Sequence, residues 1–192
     1  GVEINFNFDA FEKQIVIGTM KRCFTGGAPV SAQLCRTLLH VFPGVEGFAV
    51  YGSTEAEPMA KARFEEVVEL NGQGEGFLGG RVAPVAELVV ARFTQEPPIL
   101  GADGMAPFRQ EPGELGEIVV RGNHVNRGYI DNPQANLENK IPQEDGSIWH
   151  RTGDVGYFDE NGFLWLTGRV KDVVTHHGSL IQPLPIEADL DA

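Results

Sequence analysis

The sequence predicts an α/β fold, and three observations near its beginning support that prediction. A short apolar run, Lys21–Phe24, enters a turn with two adjacent glycines; residues Ser31–Phe42 follow helical periodicity; and Gly47–Tyr51 is a second apolar run that stops at a glycine. The order strand, glycine turn, helix, strand is typical of α/β proteins. The length of 192 residues is enough for one domain, or for one domain and part of a second.

The first helix is predicted from its apolar spacing and from its ends. Leu34, Leu38 and Leu39 recur on one side, so we expect them to face the core. Ser31 is expected to cap the start of the helix, and Pro43-Gly44 to end it.

From Arg81 onward the pattern indicates short strands. Segments rich in β-branched and aromatic residues are predicted at Ala86–Phe93, Glu117–Arg121, Ser147–His150, Val155–Asp159 and Phe163–Thr167. A Pro/Gly/acidic loop, Thr94–Leu115, separates the first two. Asn132-Pro133 predicts the start of a polar helix over Gln134–Lys140, and Asn161-Gly162 predicts a hairpin between the last two strands.

Composition narrows the function classes. The net charge of −12 argues against an extended contact with nucleic acid, because phosphate binding needs clustered Lys and Arg. The sequence has no run of about 18 apolar residues, so no membrane span is predicted. The opening residues 1–11 resemble ordinary folded chain rather than a secretory signal. No group of Cys and His residues has the spacing of a zinc site. Cys23 and Cys35 are interpreted as unpaired thiols of a cytoplasmic protein.

Two glycine-containing turns combine groups that suit a nucleotide. In the first, Gly26, Gly27 and Ala28 precede a helix, so that a flat ligand can approach the backbone and an anion can meet free N–H groups. An ordinary strand-to-helix turn is the alternative. The second turn contains an aromatic ring, hydroxyls and a carboxylate suited to base stacking, phosphate contact and Mg²⁺: Tyr51, Gly52, Ser53, Thr54 and Glu55. Its alternative is a helix start with Thr54 as cap and Glu57 as the partner in a capping box.

Two further segments contain charged residues beside glycine. Asp154, in a glycine turn just before a strand, is suited to accept both ribose hydroxyls; an ordinary turn aspartate is the alternative. Arg169, after Gly168, is suited to reach ribose or phosphate oxygens, and residues Gly168–Asp172 are a candidate hinge. The alternative there is a solvated turn with a surface ion pair.

In this order, the segments resemble the adenylate-forming superfamily, which comprises acyl-CoA synthetases, adenylation domains of peptide synthetases and luciferases. The resemblance covers nearly all of the chain from about Lys21 onward. It rests on the two glycine turns and on motifs that run through the rest of the chain: Gly113–Ile118, Arg121-Gly122, Gly128-Tyr129, Thr152–Asp154, Gly168–Asp172 and Ile181–Glu187.

The resemblance implies a role for each matched residue. Gly26, Gly27 and Ala28 would line the adenine and acyl pocket, with Tyr51, Gly52 and Ser53 also at the nucleotide. Thr54 and Glu55 would be the catalytic residues, Thr54 at the phosphate of AMP and Glu55 as ligand of Mg²⁺. Asp154 would bind the ribose hydroxyls, Arg169 would support the ribose, and Lys171 would be the hinge residue.

The resemblance also implies a domain organisation and a reaction. Residues 1–168 would be the C-terminal part of the large AMP-binding domain, with an α/β portion and a distorted β-barrel portion, and residues 169–192 the hinge and the beginning of a small α+β domain. The family's phosphate loop and the catalytic lysine of its small domain have no counterpart here, so this chain by itself is expected to be inactive. The parent enzyme would use ATP to activate a carboxylic acid, a fatty or fatty-like one, and transfer it to CoA.

Several alternatives stay open on sequence alone. The stretches Tyr51–Pro58 and Trp149–Asp154 are similar to the olefin-pathway β-lactone synthetases, which close a β-hydroxy acyl adenylate without CoA. A carrier protein is another acceptor. Two alternatives are not enzymes: a module that binds a nucleotide without catalysing a reaction, and a structural domain whose turns only resemble those of the family. The acyl chain length and the oligomeric state are not encoded in any motif identified.

Overall fold

The computed structural model describes residues 20–101, 103–176 and 179–190. The prediction for the opening residues 1–11 lies outside this range. Eleven strands are described: β1 (Arg22–Gly26), β2 (Glu46–Ser53), β3 (Ala56–Arg63), β4 (Phe77–Val82), β5 (Glu87–Ala91), β6 (Gly116–Arg121), β7 (Lys140–Pro142), β8 (Ile148–Phe158), β9 (Leu164–Arg169), β10 (Val174–His176) and β11 (Ser179–Ile181).

Four α-helices connect or flank these strands: α1 (Ala32–Val41), α2 (Phe64–Glu69), α3 (Pro133–Asn139) and α4 (Pro183–Leu190). Short 3-10 turns lie at Ala106–Phe108 and Val170–Asp172. The mixture of helices with one large sheet confirms the predicted α/β class.

Nine of the strands form one sheet in the order β1-β2-β3-β4-β9-β8-β6-β5, with β7 paired to β8. The pair β1–β2 is parallel, and the other pairs described in this sheet are antiparallel. Strands β10 and β11 form a separate antiparallel hairpin. The parallel pair is joined through α1, so the chain begins as α/β and continues as an antiparallel sheet.

Helix α1 begins where the sequence predicts. The Ser31 hydroxyl accepts a hydrogen bond from the Leu34 backbone N–H at 3.2 Å, the contact expected of an N-cap. The predicted buried face is partly wrong: Leu34 is exposed, whereas Ala32 and Cys35 are buried and Leu38 and Leu39 pack at the margin of the core. The smaller side chains of the helix therefore lie in the core.

Three groups of buried side chains stabilise the sheet. One lies between α1, α2 and strands β2, β4 and β9, around Phe64, Cys35 and Trp165. A second, around Met59 and Ile118, packs residues of β3, β5, β6 and β9 together. A third surrounds Trp149 and Val119. Both cysteines are free thiols.

The predicted break between two strands at residues 151–154 is wrong. Strand β8 runs without interruption through Arg151–Asp154, so Asp154 lies inside a strand rather than in a turn before one. Gly153 adopts φ +71°, and the pairing of β8 shifts register against β6 between Glu117 and Val119. A glycine with positive φ thus produces a bulge here instead of a turn.

The helix considered as an alternative at residues 54–57 does not form. Thr54 and Glu55 are instead the turn that joins β2 to β3 in an antiparallel hairpin. The predicted hairpin at Asn161-Gly162 is confirmed, with Gly162 at φ +76° and its N–H donating to the Asp159 carbonyl.

Candidate functional site

A cavity of about 300 Å³ opens beside the end of β1, where β2, β4, β8 and β9 approach one another. Its lining is mostly apolar, with an aromatic ring, a carboxylate and a guanidinium among it: Gly27, Ala28, Pro29, Val30, Ala49, Val50, Tyr51, Gly52, Phe77, Leu78, Gly79, Asp154, Leu166, Gly168, Arg169 and Leu184. This volume is at the lower end of the range for small-molecule pockets, and apolar walls with a few polar groups are usual there.

Three predicted site residues meet on one wall of the cavity. The Tyr51 hydroxyl donates to Asp154 Oδ2 at 2.7 Å, although the two residues are 103 positions apart in the chain. Arg169 Nη1 donates to Asp154 Oδ1 at 2.6 Å. Loss of water and the neighbouring Asp154 carboxylate raise the pKa of Tyr51 well above its ordinary value, so the phenol remains a donor.

Asp154 is held by hydrogen bonds from its own strand and from β6. The Thr152 hydroxyl accepts from the Asp154 backbone N–H at 3.0 Å and donates to the Ile118 carbonyl at 2.8 Å. The Gly153 N–H donates to Glu117 Oε1 at 3.3 Å. Glu117 also forms a buried ion pair with Arg151, at 2.7 Å. The bulge that contains Asp154 is therefore fixed to the neighbouring strand through both backbone and side chains.

The residues of the glycine turn after β1 have two different roles. Gly27, at φ +79° with open space where a Cβ would lie, and Ala28 line the cavity. Gly26 does not: a Cβ there would lie 2.5 Å from the Val50 carbonyl oxygen, so its glycine allows β1 and β2 to pack closely. The expectation that Gly26 lines a pocket thus becomes a supporting role for the turn.

Glu55 lies at the tip of the β2–β3 hairpin, three residues beyond Gly52 at the cavity wall. Its carboxylate Oε1 accepts from the Tyr129 hydroxyl at 3.0 Å, and its backbone carbonyl accepts from the Asn126 N–H at 2.8 Å. Partial burial acts to raise the pKa of Glu55. Hydrogen bonds from its own N–H, Ser53 and Tyr129 outweigh that effect, and the net pKa lies below its ordinary value.

A buried lysine lies behind this carboxylate. Lys140 Nζ donates to the Asn126 carbonyl at 3.0 Å and to Asn126 Oδ1 at 2.6 Å, and it lies 5.2 Å from the centre of the Tyr129 ring. Burial lowers the pKa of Lys140, and burial together with Lys140 lowers that of His150 to about 4. Lysine, tyrosine and glutamate thus form one polar group beneath the hairpin tip.

Sequence reasoning identified Glu55 and Tyr129 separately, but it missed the hydrogen bond between them, the lysine beside the ring and several cavity walls. Lys140 and His150 were placed at the ends of predicted elements, where local pattern gives no sign that they approach Glu55. Phe77, Leu78 and Gly79 belong to β4, a strand that the sequence interpretation did not include. The adjacent glycines Gly79-Gly80 were the available signal: a Cβ on Gly80 would lie 2.1 Å from the Lys61 carbonyl oxygen, which indicates close strand packing.

The remaining predicted residues lie near the cavity without lining it. Ser53 ends β2 and its hydroxyl accepts from the Glu55 N–H at 3.2 Å. Thr54 is exposed at the hairpin tip. Lys171 is exposed in the 3-10 turn that follows β9, two residues after Arg169.

The described residues fit a nucleotide and one magnesium ion. Asp154 retains acceptor capacity beside its two present donors, because a carboxylate has about four lone-pair sites. Among the described residues no three His, Cys, Asp or Glu side chains form a metal cluster. A single carboxylate such as Glu55 suits Mg²⁺, which usually keeps waters and substrate phosphates as its other ligands.

The chain is similar in sequence to AMP-binding enzymes and CoA ligases. A family model described as "AMP-binding enzyme" matches residues 4–130. The chain is 45% identical over 96 residues, half of its length, to the probable CoA ligase CCL9 of Humulus lupulus and covers 17% of that protein. It is 30% identical over 175 residues, 91% of its length, to the 4-coumarate–CoA ligase-like 6 of Arabidopsis thaliana and covers 28% of it.

A solved structure extends the likeness to three dimensions. The unliganded O-succinylbenzoate coenzyme A synthetase (MenE) of Bacillus subtilis matches with a TM-score of 0.66 and 26% identity, over 94% of this chain and 36% of that one. The same protein in complex with ATP and magnesium ion matches with a TM-score of 0.60 and 25% identity, over 90% and 33% of the two chains. The present chain thus spans between 17% and 36% of these proteins. No helix in the described part of the chain has the length and apolar character needed to cross a membrane.

Proposed function

The chain belongs to the AMP-binding enzyme family, and from this premise we propose that the protein containing it uses ATP to activate a carboxylic acid and then transfers the acyl group to CoA. In the first step a carboxylate oxygen attacks the α-phosphorus of ATP, the bond from that phosphorus to the bridging oxygen breaks, and pyrophosphate leaves. In the second step the CoA thiolate replaces AMP at the acyl carbonyl. The relatives named as CoA ligases support CoA as the acceptor.

The observation that carries this proposal is the hydrogen-bonded group of Tyr51, Asp154 and Arg169 on the cavity wall. In the proposal Asp154 accepts the ribose hydroxyls and Arg169 supports the sugar. The Arg169 side chain is 53% exposed and that of Asp154 only 15%, so in the proposal the guanidinium is the partner that reorients toward the sugar. The rings of Tyr51 and the adenine then lie together beside Gly27 and Ala28.

The hairpin tip is proposed to face the phosphates. Thr54 is exposed there and is assigned to the phosphate of AMP. Glu55 is assigned to Mg²⁺, which when bound neutralises charge on the leaving pyrophosphate. The contribution of the chain is to position these groups, since most of the catalysis in phosphoryl-group chemistry of this kind comes from positioning and charge stabilisation.

The proposal extends to domain organisation and substrate class. Residues 1–168 are assigned to the large AMP-binding domain and residues from 169 to the hinge and small domain, with Lys171 as the hinge residue; the separate β10–β11 hairpin supports this boundary. The substrate is proposed to be a fatty or fatty-like acid. A cytoplasmic location accompanies the proposal, because ATP and CoA are available there.

Carboxylate-dependent exchange of pyrophosphate into ATP, measured on a full-length protein that contains this chain, tests the proposal. Asp154→Asn and Asp154→Ala are expected to weaken ATP binding about 10- to 100-fold, since a hydrogen bond to a charged group contributes about 1.5–3 kcal/mol. Asp145→Asn is the matched control, because the Asp145 carboxylate is also hydrogen-bonded, accepting the Ser147 N–H at 2.8 Å, but lies in an exposed turn between β7 and β8.

Assays with a plain fatty acid and with its β-hydroxy counterpart distinguish the proposed reaction from its alternatives. Exchange with a plain fatty acid, followed by CoA-dependent release of AMP, supports the proposal. Preference for the β-hydroxy acid with a lactone product and no need for CoA would replace CoA transfer by β-lactone formation. Nucleotide binding without exchange, for any acid tested, would refute the proposed reaction in favour of a non-catalytic binding module.

A further inference from the structure

The loop between β6 and α3 holds the hairpin tip through both its backbone and its side chain. The Asn126 N–H donates to the Glu55 carbonyl at 2.8 Å, and three residues later the Tyr129 hydroxyl donates to Glu55 Oε1 at 3.0 Å. A surface glutamate at a hairpin tip would ordinarily sample several rotamers. Here one carboxylate oxygen has a defined direction, and the carboxylate keeps further acceptor sites.

Tyr129 is itself fixed by α3. The Asn136 side chain accepts from the Tyr129 N–H at 2.7 Å and donates to the Tyr129 carbonyl at 3.0 Å, so a single amide closes both backbone groups of the tyrosine. The preceding residue must be small for this contact, since a Cβ on Gly128 would lie 2.9 Å from Asn136 Oδ1. The tyrosine backbone therefore moves with the helix.

A buried cation lies over the Tyr129 ring. Lys140 is 7% exposed and lies 5.2 Å from the ring centre, and its ammonium is anchored on Asn126, the same residue that binds the Glu55 backbone. Among the described residues Lys140 has no carboxylate within salt-bridge distance. Its role in the geometry is to support the ring and the loop rather than to neutralise an acid.

We propose that Tyr129, held by Asn136 and Lys140, is a positioning residue that orients the Glu55 carboxylate as a ligand for a divalent cation. This inference rests on the proposed assignment of Mg²⁺ to Glu55. Hydrogen bonds of this kind to ligating carboxylates typically change metal affinity by about 10- to 100-fold when removed. Tyr129 contacts neither the nucleotide nor the reacting atoms in the proposal, so it acts only through Glu55.

The test is a direct titration with Mn²⁺, followed by electron paramagnetic resonance, on the full-length protein in the presence of α,β-methylene-ATP. Tyr129→Phe removes only the hydroxyl and is expected to weaken Mn²⁺ binding about tenfold. Tyr157→Phe is the matched control: its hydroxyl accepts the Glu75 N–H at 2.8 Å, away from Glu55. Glu55→Ala defines the affinity that remains without the carboxylate.

A second pair of variants tests the positioning role without changing Tyr129 itself. Asn136→Ala is expected to weaken Mn²⁺ binding in the same direction by a smaller factor, whereas Asn139→Ala, on the same helix but bonded to the Ala135 carbonyl, leaves it unchanged. Because the tyrosine only positions the carboxylate, excess Mg²⁺ is expected to restore most of the exchange rate in Tyr129→Phe and not in Glu55→Ala.

The outcomes distinguish this inference from the proposed function. Unchanged Mn²⁺ affinity in Tyr129→Phe, with exchange present and dependent on Glu55, would overturn the positioning role and leave the reaction intact. Mn²⁺ binding that does not depend on Glu55 would overturn the positioning role together with the metal assignment. Weakened binding in Tyr129→Phe and Asn136→Ala, with both controls unchanged, supports the inference.

Discussion

Replacing Glu117 by leucine is expected to destabilise the protein strongly, because the substitution leaves a buried guanidinium without its counter-charge. The side chains of Glu117 and Arg151 are 6% and 11% exposed, and Glu117 Oε2 accepts from both Arg151 Nε at 2.8 Å and Arg151 Nη2 at 2.7 Å. Removing one partner of a buried pair costs about 3–5 kcal/mol.

A double-mutant cycle measures how much of that loss comes from the unpaired charge. Arg151→Met removes the guanidinium, which also donates to the Thr94 carbonyl at 3.0 Å. The double variant Glu117→Leu/Arg151→Met replaces both charges by apolar groups, so it is expected to be more stable than Glu117→Leu alone. Thermal unfolding of the full-length protein, followed by tryptophan fluorescence, provides the measurement, and Trp149 on β8 lies two residues from Arg151.

The control is the exposed pair on the neighbouring strands. Glu87 on β5 and Arg121 on β6 are 47% and 34% exposed, so Glu87→Leu is expected to change stability by about 0–1 kcal/mol. If Glu117→Leu lowered the melting temperature no more than Glu87→Leu, or if the double variant lost the sum of the two single losses, the reasoning from burial would be refuted.

Three other changes probe separate parts of the fold, each measured by thermal or urea unfolding of the full-length protein. Gly80→Ala is expected to cost several times more than Gly72→Ala, since both have positive φ but only Gly80 has backbone where a Cβ would lie; equal losses would contradict this. Ser31→Ala removes the hydroxyl that accepts the Leu34 N–H and should cost about 1 kcal/mol, and no loss would show that water replaces the cap. Burial, with Lys140 as a smaller cause, lowers the pKa of His150 to about 4, so the unfolded chain binds its proton first; stability should be full above about pH 6.5 and fall by about 3 kcal/mol toward pH 4, and His150→Gln should flatten that dependence.

Local chemistry made parts of the fold predictable. The Ser31 cap, the helix start at Asn132-Pro133 and the Asn161-Gly162 hairpin were each predicted from a few adjacent residues, and each forms; Asn132 caps its helix by accepting the Ala135 N–H. The helix over Gln134–Lys140 is displaced by one residue, to Pro133–Asn139. In all these cases the contact that decides the structure joins residues close in sequence.

Long-range pairing accounts for what was missed. Strand β3, with the sequence AEPMAKAR, contains residues of low strand propensity and a proline, yet it forms because β2 pairs along its length and its alternate residues enter the core. The continuity of β8 likewise depends on Glu117, which accepts the Gly153 N–H from 36 residues away.

In the candidate site, too, local motifs were predictable from the sequence and long-range contacts were not. Tyr51, Asp154 and Arg169 were identified from their motifs, but the hydrogen bonds that join them cannot be derived from spacing across 103 residues. Gly128-Tyr129 was recognised as a motif, but no local pattern indicated that Tyr129 donates to Glu55 or that Lys140 lies beside the Tyr129 ring. These contacts form only when the folded chain brings the loop after β6 and the end of α3 next to the hairpin tip.

The β2–β3 hairpin restricts how proteins with this architecture can diverge. Tyr51 and Glu55 are four residues apart in the chain, so the distance between their Cα atoms cannot exceed about 14 Å, whatever the conformation of the rest of the chain. An insertion of one residue in the hairpin would reverse the two faces of β3, turning Lys61 and Arg63 inward in place of Ala60 and Ala62. Substitutions on the cavity walls supplied by β4, β9 and α4, in contrast, can change the shape of the cavity without altering the distance between Tyr51 and Glu55.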